Sequence, residues 1–406
     1  MSPSPTMTST STHADVVVVG GGTVGAWTAA LLAERGVAHV VLLEANTLGE
    51  GASSRAAGMV RAQGGTEPAI RLGMRSQEFY RSSGDRFPLD CGFVAQGYLM
   101  PCFSEPEVTQ ALARIELQRS LGLDVEWLTG SDVDARSTGI AAGATMGASN
   151  APGDGYIDAP RNVLAYTAAL AALRVDVRER TAFTGLRTAG GRVVGVDTNA
   201  GPIDTDRVVL TGGPQLAEVG ATAGGRIPAG GARHQVVVTA PLPVDVYTLP
   251  MVFDVVSGIY WRPGEFGGLL WGMSNPSESP GSANEFDWQY YEKARSRIEE
   301  LYPAVRGLGL RRTWAATIDY TPDHLPILGP LLTGDGPIDG TVVASPAGHG
   351  MMWGPAVAEV AADLTTSGRC DWLDLTDLGL DRFDADGRSR LDPEPISLPF
   401  PEKVTS

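Results

Sequence analysis

Two kinds of apolar patterning alternate along this chain. Val16–Val19 is an unbroken β-branched run, the pattern of a strand buried on both faces in a parallel sheet. "AWTAALLAERG" follows as an apolar helix closed by Gly36, and "HVVLLEA" returns to strand, ending at Glu44. Later stretches repeat the alternation. "DGYIDAPRNVLAYTAALAA" sets Asp158 as an N-cap and Pro160 in the first turn of another apolar helix. "VDVRERTAFTGLRTAGGRVVGVDTNAGPIDTDRVVLTGG" reads as short strands joined by glycine turns, with a buried last strand and a break at Gly212 and Gly213. "GTVVASPAGHGMMWGPAVAEVAADLTTSG" is strand, glycine loop and helix, with Pro355 early and Gly368 closing. The aromatic-rich "GIYWRPGEFGGLLWGMS" suits a hairpin of an antiparallel sheet. "WQYYEKARSRIEELYPAV" is a helix whose alternating charges mark a solvated face. The fold class expected is α/β.

Composition narrows the field. With 406 residues, 43% of them hydrophobic, two domains with sizeable cores are expected. A formal net charge of −16 argues against a nucleic-acid partner, because phosphate binding needs a basic face. Lys293 and Lys403 are the only lysines, which excludes most lysine-based chemistry. Cys91, Cys102 and Cys370 are too few and too scattered for a disulfide framework or a zinc site, so no metal is expected and a reducing cytoplasm fits. No apolar run approaches the roughly 18 residues of a membrane span, so no membrane partner is expected. The leader "MSPSPTMTSTST" lacks the marks of a signal peptide, and residues 1–13 read as a disordered tail.

Gly20, Gly22 and Gly25 form G-x-G-x-x-G between the first strand and helix. Glycines let the backbone approach a pyrophosphate, and the helix N-terminus offers N–H groups and positive dipole. Glu44 stands where a carboxylate accepts from both ribose hydroxyls. This is a full dinucleotide-binding context, yet it does not separate NAD from FAD. The loop "NTLGEGASSRAAGMVRAQGG" is too long and too rich in small residues for an ordinary crossover. Such a loop can lie along an extended cofactor and leave room for a flat ring.

With "GASSRAAGM", "DGYIDAPR", "RVVLTGG", "YTPDHLPILGP" and "GHGMMWGPAVAE" in that order, the chain resembles the D-amino-acid oxidase superfamily of FAD-dependent oxidoreductases. That group holds glycine oxidase, sarcosine oxidase, dimethylglycine dehydrogenase and the L-proline dehydrogenase catalytic subunit. The resemblance implies a Rossmann-like FAD-binding domain from residues 14–88, 154–231 and 318–385. It implies an α+β substrate domain with a mostly antiparallel sheet from 89–153 and 232–317, and leaves 386–406 as a C-terminal tail. It also implies oxidation of a small amine or amino acid, secondary or cyclic favoured, by hydride transfer to flavin N5, giving an imine that hydrolyses.

Residue by residue, the resemblance gives Gly20, Gly22, Thr23, Val24, Gly25, Glu44, Ala45, Val177, Gly212 and Gly213 to the cofactor. Ser53, Ser54, Arg55, Ala57, Gly58 and Met59 match the loop that passes the pyrophosphate and then the ring. Gly348, His349, Gly350 and Met351 are implied at the flavin N1 and C2 carbonyl, where N–H groups at a helix start stabilise negative charge. Met352 stands where some sarcosine oxidases carry lysine. Where relatives attach flavin covalently through histidine or cysteine, this chain has Ser54 or Arg55 and no cysteine, so FAD is expected to be non-covalent.

A substrate amine, with a pKa of about 10, must lose its proton before hydride can leave the adjacent carbon. His234 and Tyr260 match the histidine and tyrosine that face the flavin in dimethylglycine oxidases and L-proline dehydrogenases. A histidine titrates in the useful range and can pass its proton to a phenol. Arg262, two residues beyond Tyr260 on one strand face, either binds a substrate carboxylate or braces the sheet. Arg233 is expected to point away. The family's carboxylate anchors are replaced by Ile318 and Gly58. Either Arg61 or Arg262 substitutes, or the substrate is a larger amine or a carboxyl-masked, carrier-bound amino acid. Tyr98, Trp261, Trp271, Trp314 and Tyr320 can line an apolar pocket or be core. Leu270 stands near the position of the oxygen-activating lysine, leaving dioxygen and another electron acceptor both open. A homo-oligomer and a subunit of an electron-transferring complex are compatible with the sequence.

Overall fold

A computed structural model describes residues 12–136 and 138–401. The valines of Val16–Val19 are buried on both sides, with Val16 and Val18 in one core and Val17 and Val19 in another. That double burial is why the run is continuous rather than alternating. The strand lies inside a six-stranded sheet ordered Asp176–Arg178, Val40–Leu43, Val16–Val19, Val208–Leu210, Thr341–Ser345 and Ile327–Gly329. The first five are mutually parallel and Ile327–Gly329 is antiparallel. The helices Thr23–Glu34, Ala159–Ala172 and Gly354–Ser367 cover one face. Trp27, fully buried among Phe79, Phe87 and Tyr166, donates its indole N–H to Asn162 Oδ1 at 3.1 Å.

A second sheet of eight strands is ordered Leu310–Tyr320, Gly230–Thr239, Leu269–Ser274, Ile259–Pro263, Met251–Asp254, Tyr98–Cys102, Gly147–Ala151 and Glu126–Thr129. Only Met251–Asp254 beside Tyr98–Cys102 is parallel. The two-residue period of a strand divides its side chains. Trp261 and Trp271 point to the core under the helix Trp288–Leu301. Tyr260, Val236, Val238, Phe253 and Leu270 point the other way, against Ala57 and Met59 of the first domain.

Three expectations need revision. Thr12–His13 pairs with Ile203–Asp204, so the N-terminal tail is shorter than residues 1–13; residues 1–11 lie outside the described residues. The strands Gly230–Thr239 and Leu310–Tyr320 run straight through the boundaries placed at 231/232 and 317/318, tying the two parts together. The stretch 386–401 is not a loose tail: Glu394, Ile396 and Phe400 are buried in the body of the protein. Residues 402–406 lie outside the described residues. Among the described residues no helix is long and apolar enough to cross a membrane.

Candidate active site

The glycine turn is shaped by contacts that a side chain would destroy. Gly20 has φ 103°, and a Cβ on Gly25 would fall 1.9 Å from the Gly20 carbonyl oxygen. The helix therefore starts directly on the turn. Its N-cap, Gly22, has no capping side chain, and Thr23 N–H is met by Ser53 Oγ at 2.9 Å. Glu44 carries its carboxylate back to the turn, accepting from Gly21 N–H and Asn46 N–H at 2.8 Å each.

These groups open into one cleft of about 1430 Å³, its open mouth included. Gly20, Gly22, Thr23, Val24, Gly25 and Glu44 line it, as do Ser53, Ala57, Gly58 and Met59 from the long loop. Gly212, Gly213, Gly348, His349, Gly350 and Met351 complete the walls on the first domain. His234 and Tyr260 line it from the eight-stranded sheet. Five predicted residues do not line it. Ala45 and Ser54 sit beside lining residues, and Val177 is in the edge strand paired with Leu42. Arg55 turns its guanidinium onto the Glu50 and Gly51 carbonyls. Arg262 donates to the Ala57 and Pro263 carbonyls at 2.6 Å each and lies 4.6 Å over Tyr156, so it braces the sheet against the loop.

The aromatic pocket is also redrawn. Tyr98 lines the cleft, but Trp261 and Trp271 face the opposite core. Trp314 does not line it and caps the Arg55 carbonyl at 2.8 Å, while Tyr320 stacks on Phe400. Phe253, Ile318, Asp319 and Leu398 line the cleft instead. Phe253 could have been found from its place opposite Tyr260 on the neighbouring strand. Leu398, inside a proline-rich stretch, carries no such signal.

Arg61 is the buried cation of the cleft. Its guanidinium donates to the Gln63 and Ile396 carbonyls and lies 5.7 Å from the Phe253 ring. Burial lowers its pKa, opposed by Tyr98, Glu394 and Asp154. Arg233 pairs with Glu278, away from the cleft. Asp319 accepts from Ser345 Oγ at 2.8 Å, and burial raises its pKa.

His234 and Tyr260 meet directly, Nε2 to phenol, and His234 Nδ1 lies 2.7 Å from Ser274 Oγ. Burial pulls the imidazole down to about 4 and pushes the Tyr260 phenol up, so both are neutral near pH 7. This corrects the expectation of a histidine titrating near neutrality. His349 is likewise buried, with its pKa pulled down to about 3. Its Nδ1 lies 2.9 Å from the Ala347 carbonyl, which can only accept, so Nε2 is a bare acceptor. That Nε2 is buried without a partner among the described residues, the condition expected where a bound group brings the donor. The glycine turn, the open helix start, Glu44 and this orphaned acceptor together fit an extended dinucleotide such as FAD.

Comparison with known proteins agrees with this geometry. The family model described as FAD dependent oxidoreductase (DAO) matches residues 15–364. The 4-methylaminobutanoate oxidase (formaldehyde-forming) of Paenarthrobacter nicotinovorans is 31% identical over 322 residues, covering 77% of this chain but only 39% of that protein. The chain thus spans about two-fifths of that relative's length. The glycine oxidase of Geobacillus kaustophilus is 29% identical over 328 residues, 78% of this chain and 84% of that protein. Among solved structures, L-proline dehydrogenase from P. horikoshii superposes with a TM-score of 0.82 at 27% identity, covering 89% of this chain and 96% of that one.

Proposed function

Because the chain belongs to the FAD dependent oxidoreductase (DAO) family, we propose that it oxidises a small secondary or cyclic amine bearing a free carboxylate. The observation that carries this reading is one cleft holding both a neutral His234–Tyr260 pair and the buried Arg61 guanidinium. Bound FAD supplies the acceptor for a hydride. The residues of the chain bind and aim the amine.

An imidazole at about 4 is a poor resting place for the amine's proton. Moving a proton to it from an ammonium of pKa about 10 is uphill by on the order of 8 kcal/mol. The pair therefore favours the neutral amine. Tyr260 donates its O–H to His234 Nε2, which leaves the phenol oxygen to accept from the substrate N–H. That contact turns the nitrogen lone pair toward the carbon that loses hydride. The same tautomer leaves Nδ1–H to donate to Ser274 Oγ.

Arg61 supports the carboxylate part of this reading. Two carbonyls hold its planar fork in place, and a guanidinium so fixed suits a carboxylate. The names of three relatives share the carboxylate: 4-methylaminobutanoate and proline are secondary amines bearing one, and glycine bears one on a primary amine. The carbon–nitrogen double bond formed as hydride departs is then hydrolysed by water to a carbonyl compound and the residual amine.

The test is anaerobic mixing of the FAD-bound protein with N-methyl amino acids, cyclic imino acids, D-amino acids and simple amines. Bleaching by carboxylated secondary amines is expected. Bleaching by primary amines alone overturns the substrate class. Loss of yellow colour with none of these overturns the amine reading. Admitting air afterwards reports whether dioxygen is the acceptor.

A further inference from the structure

The segment 394–400 borders the cleft at Leu398. It bends at residues 395–397 and does not run as a strand, so each side chain is placed by its own contacts. Ile396 and Phe400 are buried in protein, while Leu398 between them is half-buried and lines the cleft beside Tyr260, Phe253 and Arg61. The Ile396 carbonyl also holds the Arg61 guanidinium. The strap therefore supplies both an apolar wall and part of the cation's seat.

Both parts of the protein fasten it. The Glu394 carboxylate accepts from Gly65 N–H at 2.6 Å and from Thr66 Oγ1 at 2.5 Å, where the helix Glu67–Arg86 begins. Glu394 N–H donates to the Asp323 carbonyl at 2.9 Å. Ser397 Oγ lies 2.7 Å from His324 Nδ1, and the Phe400 ring stacks on Tyr320 at 5.1 Å. Gly258 accommodates Pro399, and Gly348 accommodates Phe400: a Cβ on either glycine would fall within 2.6 Å of its neighbour. Leu398 packs at the edge of the apolar cluster that holds Phe253 and Tyr260 and keeps part of its surface in the cleft.

We infer that Leu398 sets the size of the group the amine site accepts, and that Glu394 is the positioning residue that latches its strap. The inference rests on the reading of the cleft as an amine site anchored by Arg61. A fixed wall beside a fixed cation meters what lies between them. Shortening the wall admits bulk without touching the pair that aims the amine.

The experiment titrates FAD-bound, full-length protein with acetate, benzoate and 1-naphthoate, following the flavin absorbance. Leu398→Ala is expected to improve the affinity for 1-naphthoate relative to acetate at least tenfold. Leu398→Trp is expected to worsen benzoate relative to acetate by a similar factor. Glu394→Ala should shift the size order in the same direction as Leu398→Ala and speed tryptic cleavage at Arg390. Glu394→Gln, which keeps an acceptor for Gly65 N–H, should restore both. Carboxylates that bind with an unaltered size order in Leu398→Ala overturn the inference. So does the absence of any carboxylate effect in the parent, even if an amine still bleaches the flavin and leaves the proposed reaction standing. A protein that binds flavin yet is bleached by no amine instead removes the reading on which the inference rests.

Discussion

His234 and Tyr260 stand on strands that do not pair with each other, yet their rings lie 5.5 Å apart and within 14° of parallel. The strand Leu269–Ser274 runs between them, with Ser274 opposite His234 and Gly272 opposite Tyr260. The phenol reaches the imidazole by crossing over Gly272, where a Cβ would fall 2.1 Å from the Tyr260 oxygen. Both rings are buried, so neither contact exchanges readily with water.

Gly272 is therefore a positioning residue for the pair. Gly272→Ala should push the phenol off His234 Nε2 and lower the rate of flavin reduction about 100-fold, the scale of a misplaced aiming contact. The flavin should remain bound, because Gly272 does not line the cleft. Stopped-flow bleaching at saturating amine checks this. A rate within a factor of two of the parent would show that the phenol contact is not needed.

The depressed pKa of His234 sets the pH behaviour. With the imidazole at about 4, no activity limb near 6.5 is expected, and the rate should rise with pH as the amine loses its own proton. Stability follows from the same shift. Between about pH 6.5 and 4 the unfolded chain binds a proton at this histidine and the folded chain does not, so stability falls as the pH drops through that window and is level above it. The buried carboxyls of Asp154, Asp319 and Glu394, whose pKa values burial raises, contribute with the opposite sign. Comparison with His234→Gln isolates the histidine. The variant should stay yellow, lose about 100-fold in reduction rate through loss of aim, and show a shallower melting-temperature slope over that window.

Much of this was legible in the chain. The valine run, the glycine turn and Glu44 speak through local pattern, because a parallel strand, a helix start and a carboxylate at a strand end are all short-range features. His234 and Tyr260 were found through the motif context around each. The substrate wall was harder. Whether Trp261 or Tyr260 faces the cleft depends on strand register, and Arg61 and Arg262 looked interchangeable until the loop Ala57–Met59 had a place in space. Leu398 was invisible because its proline-rich segment has no periodicity, and only long-range contacts with residues such as Thr66 and His324 hold it.

Arg61 should discriminate by charge. Arg61→Ala is expected to raise KM for N-methylglycine-type substrates by about 10–100-fold, the loss of a hydrogen bond to a charged group. An N-methyl alkylamine without a carboxylate should change far less. The ratio of the two separates anchoring from general loosening, which matters because Arg61 also holds the Ile396 carbonyl. Equal losses for both amines would make Arg61 structural alone.

The flavin should leave the protein intact on acid precipitation. Covalent attachment needs a nucleophilic side chain at the ring, and the cleft offers no cysteine: Cys91 and Cys102 are buried in the body of the protein and Cys370 lies outside the cleft. Of the two histidines that line it, His234 has both ring nitrogens engaged. His349 keeps a bare Nε2, which makes it the one imidazole in the cleft able to bond to the ring. Its lowered pKa and its seat 4.1 Å from the Trp353 ring favour a hydrogen-bond acceptor held in place. Trichloroacetic acid should therefore release all the yellow colour into the supernatant. Colour retained in the pellet, and lost from it in His349→Ala, would overturn dissociable binding and identify the bond.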